Sequence, residues 1–378
     1  MKKEDVASLI VYLGMIVIAL VLGFTLIKST FEQVYQLSMN SYLFAILVII
    51  AGLLVNIIGL ELGHILGGKM GGYNIVVVNI LGLCFYRKDG KWKFGFKDFD
   101  GLTGETTLAP KSEKSNPKPF VWIPLLMYIV ELVACIIFYT IGSDPKLEVH
   151  DPLRWIATAS IVWIAISSMM ALYNFVPVKL DSMTDGYRLT LITKKVNVEA
   201  YNELMRIQNL QREGKEVGEV KVFDEITDFT TQLNLITIYE YLSKKEYDKA
   251  KELIEKNLTD PDKVSRTTRF RLIAQKLYIN ILTMDLEDAK KYYEEEVGDD
   301  IRRFISNDIS MESVRAYVLI AGMLDESYGE VEFANNRKPK AMKRALASRA
   351  KIEEQLYNEA FDKVMNAHPD WKSGNVSE

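Results

Sequence analysis

The chain has little of what disulfide frameworks and multi-ligand metal centres are made of: two cysteines and three histidines in 378 residues. Cys84 and Cys135 each lie in an apolar stretch and neither belongs to a CxxC pair, which argues against a disulfide framework and marks both as packing residues. Positive charge is not in excess either. A net charge of -4 and an isoelectric point near 5.7 leave no basic patch to draw nucleic acid, so that class of partner is set aside. Long apolar runs are missing after Asn174, and proline is sparse after Gly186. The second half therefore lacks the means to enter lipid, and most of the charge is found there.

What is present in the first half is apolar length. A helix needs about 20 apolar residues to cross the hydrocarbon core, and the stretches 6–27, 41–63, 120–141 and 154–173 each reach it. The first follows Lys2 and Lys3, exceeds a signal-peptide core and has no small-residue cleavage site, so it reads as a retained anchor. Between the second and third runs lies a loop rich in lysine, including Lys88, Lys91, Lys93, Lys111 and Lys118. The positive-inside rule places that loop, and with it both termini, in the cytoplasm. The expected fold is a mainly α membrane protein in two parts. Residues 1–190 form a multi-pass domain of four transmembrane helices with a β-rich cytoplasmic loop over 74–108, and residues 191–378 form a cytoplasmic helical domain.

Within the loop, Asn74 to Leu83 is rich in valine and isoleucine, and Cys84 to Phe96 reads as two strands around an Asp89-Gly90 turn. On the second of these strands Trp92, Phe94 and Phe96 alternate with Lys91, Lys93, Gly95 and Lys97, a pattern that predicts one buried and one wet face. Such a hairpin either offers an edge to an extended peptide or covers the membrane-facing core. In the tail, a shift of 39 residues brings Leu233 onto Leu272, Tyr239 onto Tyr278, Leu242 onto Ile281, Tyr247 onto Leu286 and Ala250 onto Ala289. This resembles tetratricopeptide-like helix pairs, which stack and present a groove to a partner. A plain helical bundle satisfies the same spacing.

Ionisable groups inside an apolar span are costly and mark candidate functional sites. Glu61 and His64 lie three apart on one helical face near the inner end of the second run. The fourth run ends at Asn174-Phe-Val-Pro177, where proline stops the helix, and leads to Thr184-Asp185-Gly186. If the two runs pack together, His64, Glu61 and Asp185 converge at one depth. Glu131, midway along the third run, is placed to hydrogen-bond Asn56 or line a cavity, or else is a neutral carboxyl satisfied by a neighbouring helix. Gly63, Gly67 and Gly68 read as close-packing positions between helices.

In order and spacing these features resemble the site-2 protease-like intramembrane metalloproteases. The matching stretches are LELGH at 60–64, the strand-rich loop, the third span, NFVP at 174–177 and TDG at 184–186, together covering about residues 41–190. The resemblance implies a catalytic zinc with a water in its open position and the motif glutamate as general base. Carried over, His64 and Asp185 are the metal ligands, Glu61 is the base and Asn174 lies near the substrate carbonyl. The motif's first histidine falls at Leu60, which cannot bind zinc, while His150 and His368 belong to the outer loop and the tail. Leu60 admits a natural pseudoprotease, an altered residue in an active protease, or a relocated metal site.

Two functions from different classes follow. One is zinc-dependent cleavage of membrane-associated peptides or proteins. The other is a non-catalytic membrane scaffold or receptor that binds a membrane peptide among lipids and recruits a cytosolic protein through its helical tail. A transporter is disfavoured, since four spans show no inverted repeat or paired broken helices.

Overall fold

The computed structural model describes residues 3–28, 39–88, 90–96, 104–148, 151–180, 183–345 and 349–373. Asp89 of the hairpin turn, Lys97 and His150 lie outside the described residues. The chain is mostly helical and divides into two compact units, 1–205 and 206–378.

The first unit holds four helices that are long and apolar enough to cross a membrane, which marks a membrane protein. They are α1 (Lys3–Leu22, continued by a π turn Gly23–Ile27), α2 (Met39–Met70), α3 (Lys118–Gly142) and α4 (Pro152–Phe175). Their outer faces leave Val17, Leu47, Val130 and Ile136 exposed, as helices do whose solvent on that side is lipid. Inside, Val48, Ile161, Val162 and Ile166 form a core, and the Trp163 indole N–H donates to the Val48 carbonyl at 2.8 Å. The second span was expected to end at residue 63. It continues to Met70 through Gly67 and Gly68, two weak helix formers held in the helix by close packing against Pro119 and Leu108, and Glu61 and His64 therefore sit within α2 rather than at its end. The fourth helix ends as proline requires, with Val176 extended immediately before Pro177.

Glycine sets the spacing of α2 and α3. A Cβ on Gly63 would stand 2.7 Å from the Cα of Pro124, one on Gly67 would stand 2.1 Å from the Pro119 carbonyl oxygen, and one on Gly68 would meet the Leu108 side chain at 2.8 Å. These three positions are the close-packing surface that their spacing predicts.

Among the described residues four strands form one antiparallel sheet in the order β3-β2-β1-β4: β1 (Tyr73–Ile80), β2 (Leu83–Lys88), β3 (Lys91–Phe96) and β4 (Gly104–Pro110). A two-residue turn at Leu81 and Gly82, both at positive φ, joins β1 to β2. The expected β2–β3 hairpin is present, with Phe85 opposite Phe94 and Arg87 opposite Trp92. Its expected buried face is not. Trp92, Phe94 and Phe96 are 54%, 52% and 81% exposed, because β3 is an edge strand and the rings pack on their own neighbours, Phe94 lying 5.1 Å from both Phe85 and Phe96. The strand β4 adds to the sheet a fourth member beyond the hairpin and the valine-rich strand.

Two further helices of the first unit matter for the site: α5 (Asp185–Leu191) and α6 (Lys195–Arg212), the second of which crosses the division between units. Tyr73 of β1 donates to the Asn202 side-chain oxygen, and Asn202 donates to the Ser115 carbonyl at 2.8 Å, tying α6 to the sheet.

The second unit is all helix among the described residues. The shift of 39 residues is visible as two helix pairs, α7 (Asp228–Ser243) with α8 (Tyr247–Leu258) and α9 (Arg266–Thr283) with α10 (Leu286–Glu295). Of the overlaid residues, Leu233, Leu272, Tyr239, Tyr278, Leu242, Ile281, Ala250 and Ala289 are buried, whereas Tyr247 is half-buried and Leu286 exposed, since these two stand at the start of the second helix of each pair. After them come α11 (Asp299–Asn307), α12 (Met311–Leu319), α13 (Tyr328–Arg344) and α14 (Ala350–Ala367) around the same core.

The glycine spacing yields a direct expectation. Gly67→Val forces a side chain into the α3 backbone and should destabilise the protein by at least ~1–3 kcal/mol. Gly59→Ala, where an added Cβ meets nothing within 4 Å, should be neutral or slightly stabilising. Thermal unfolding in detergent compares the two, and equal transition temperatures for Gly67→Val and wild type would contradict the packing described.

Candidate functional site

The site is assembled from α2, α3, β4 and α5. One face of α2 carries Glu61 and His64, and because Gly63 and Gly67 bring α3 close, the Phe120 ring stacks on the His64 imidazole at 4.6 Å and 24°. That stacking fixes the ring plane. Its Nε2 then lies 2.9 Å from Oδ2 of Asp185, and its Nδ1 lies 3.5 Å from Oε2 of Glu61 without making a hydrogen bond.

Asp185 reaches this point from the first turn of α5. Thr184 caps that helix, its hydroxyl accepting from the Tyr187 amide at 3.4 Å. Gly186 lets the turn lie against the end of α4, since a Cβ there would stand 2.3 Å from the Phe175 carbonyl oxygen. The second carboxylate oxygen of Asp185 accepts from Nη1 of Arg188 at 2.9 Å, and the Arg188 guanidinium lies over the Phe120 ring at 5.7 Å. Burial works to raise the Asp185 carboxyl, but His64 and Arg188 beside it outweigh that and hold it below the usual carboxylate range.

Glu61 is buried and accepts a hydrogen bond from the Thr106 hydroxyl of β4. The strand passes this close because its first residue is Gly104, where a Cβ would stand 2.5 Å from the Glu61 side chain. Sequence spacing thus brought forward three of the residues that meet here, and the structure adds Thr106, Arg188 and Phe120. Arg188 had a readable signal, three residues after Asp185 on a short helix. Thr106 and Phe120 had none, because their distance from Glu61 and His64 along the chain is closed only by the fold.

Asn174 makes no hydrogen bond to His64, Glu61 or Asp185; it neighbours the Tyr128 hydroxyl of α3, on which Glu61 and Asp185 also act. Leu60 is half-buried and lines a largely apolar cavity of about 180 Å3 between α2 and α3, together with Asn56, Met127, Tyr128 and Glu131. Glu131 does both things its position suggested. Its Oε1 accepts from Asn56 Nδ2 and Ser167 Oγ, each at 2.9 Å, and the side chain borders the cavity.

A catalytic zinc needs three protein ligands and a separate base. The donors at this point are one imidazole and two carboxylates, and using Glu61 as a ligand would leave no base. Asp185 already divides its oxygens between His64 and Arg188. Among the described residues no group of three or more histidine, cysteine, aspartate or glutamate side chains is arranged to hold a metal ion. The residues present do not fit that ion. What they form instead is a closed network of two acids, an imidazole and a guanidinium.

No family model, curated protein or solved structure matches the chain.

The depressed Asp185 carboxyl has a defined sign. A group whose folded pKa lies below its unfolded value contributes stability above the unfolded value, about 3.9 for aspartate, and loses it as pH falls through the folded value. Wild-type protein should therefore lose stability as pH drops below about 4, and Asp185→Asn should flatten that acid limb while lowering stability at neutral pH. Unfolding midpoints across an acid pH series test this, and parallel curves for the two proteins would refute it.

Proposed function

We propose that the chain is a site-2 protease-like, multi-pass membrane protein that no longer performs zinc chemistry and uses its fold as a non-catalytic receptor for a membrane-associated peptide. The observation that carries this reading is the pairing of a retained His64–Asp185 contact at 2.9 Å with Leu60 in the position of the missing ligand. Order and spacing of the motifs favour the ancestry. The donor set favours loss of catalysis. With both termini cytoplasmic, the network of Glu61, His64 and Asp185 would lie near the cytosolic leaflet.

The peptide would bind as an added strand. In the order β3-β2-β1-β4 the two edges are β3 and β4, and β4 is the edge strand that touches Glu61 through Thr106. An extended segment on β4 would run past that network and gain main-chain hydrogen bonds there. The helical second unit, with its recurring pairs, supports a tetratricopeptide-like role in recruiting a cytosolic protein.

Metal analysis of the purified full-length protein decides between receptor and enzyme. Wild-type protein should carry no stoichiometric zinc, and Leu60→His should raise zinc affinity by about two orders of magnitude or more by restoring a third ligand. One zinc per wild-type chain, with peptidase activity that Glu61→Gln abolishes, would overturn the receptor reading and establish the enzyme. Unchanged metal binding in Leu60→His would show that residue 60 is not the vacated ligand position.

A further inference from the structure

We propose that the helical second unit contains an oxyanion-binding pocket, built where α12 and α14 begin, that takes a carboxylate- or phosphate-bearing ligand. The pocket has a volume of about 240 Å3, enough for a small organic anion rather than a single water. Arg271, Arg344 and Arg349 line it against Asp308, Glu312 and Glu353.

The carboxylates are accounted for within the protein. Asp308 accepts from the hydroxyls of Ser310 and Ser313, the latter at 2.8 Å. Glu353 accepts from the fully buried Arg315, whose other terminal nitrogen donates to Gln275 at 2.7 Å. Burial opposes the charge of Glu312, but Arg271 and Arg315 nearby hold its carboxyl below the usual range. The arginines at the pocket wall have electrostatic neighbours but no hydrogen-bonded ones: Arg271 acts on Glu312, and Arg349 acts on Glu353 and lies over the Tyr239 ring at 4.9 Å. Among the described residues Arg271, Arg344 and Arg349 make no hydrogen bond and no ion pair within 4 Å, and the Nε atoms of Arg271 and Arg349 are buried without a partner. A buried donor left unpaired costs free energy, and a guanidinium left unpaired costs more than a neutral group.

Three arginines and three acids line the pocket, and Arg315 stands behind the wall on Glu353, so the guanidinium groups at the wall can turn to a ligand without stripping Glu353 of its partner. Helix ends contribute as well. Met311 and Glu312 open α12, and Arg349 is the N-cap of α14 with no side chain capping that helix, so both positive helix ends border the pocket. Guanidinium groups with free N–H pairs match the two oxygens of a carboxylate or phosphate in a forked contact. The site is independent of the membrane-embedded network and of the receptor reading.

The test uses full-length protein in detergent micelles titrated with inorganic phosphate, pyrophosphate and citrate against sodium chloride of equal ionic strength. At least one of the three should raise the unfolding temperature saturably, with phosphate and citrate separating the two ligand chemistries. Arg271→Gln with Arg349→Gln should weaken that binding by about tenfold or more, since each removes a charge-assisted contact. The exposed Arg344→Gln should weaken binding without any effect on folding, and the exposed Arg303→Gln, outside the pocket, should do neither. No saturable effect from any of the three anions, or full binding by Arg344→Gln and by the double variant, would overturn the proposal.

Discussion

The bare glycine face of α2 is the constraint on which the first unit depends. Because Gly63 and Gly67 let the α3 backbone approach to van der Waals contact, Phe120 comes to lie flat against His64, and the imidazole is held in one plane. Gly68 takes the Leu108 side chain, which sets β4 against the same helix and so delivers Thr106 and Gly104 to Glu61. A side chain at any of these glycines would separate elements that each contribute a group to the network. Helix packing and site geometry are in this sense one structural fact.

The parts of this arrangement legible in the sequence were those carried by local rules. Apolar length located four helices, Pro177 located the end of the fourth, and a shift of 39 residues located helix pairs in which four of the five overlaid pairs are buried. The meeting of His64 with Asp185 was legible because each lies at the end of its motif, at one expected depth. Other features depended on tertiary context. The alternation over Trp92, Phe94 and Phe96 is a sound strand signal, but whether its apolar face is covered depends on what lies beyond the edge, which periodicity does not record.

Leu60 acquires its meaning from the helix it occupies. Residues 56, 60 and 64 follow one another at four-residue intervals along α2, so a single stripe runs from Asn56 through Leu60 to His64. At one end the stripe is polar, with Asn56 donating to Glu131. At the other it is polar again, with His64 on Asp185. Leu60 is the apolar residue between them and borders a cavity whose lining is chiefly apolar. A histidine there would bring a second imidazole within one helical turn of His64, whereas leucine separates the two polar clusters and leaves each to satisfy itself.

That separation explains how the network persists on internal partners. Isolated carboxylates in a dry interior are prohibitively costly, and they are retained only where opposite charge and donors surround them. Glu61 has the Thr106 hydroxyl and the nearby imidazole, while Asp185 has the imidazole on one oxygen and Arg188 on the other. The guanidinium on Asp185 does electrostatically what a cation at that carboxylate would otherwise do. With His64 it holds the Asp185 carboxyl below its usual range, and the Phe120 ring lies against both the His64 imidazole and the Arg188 guanidinium. Arg188 therefore gives the buried acid a resident cation on the oxygen that His64 does not occupy, and the site is held together by side chains of the first unit alone.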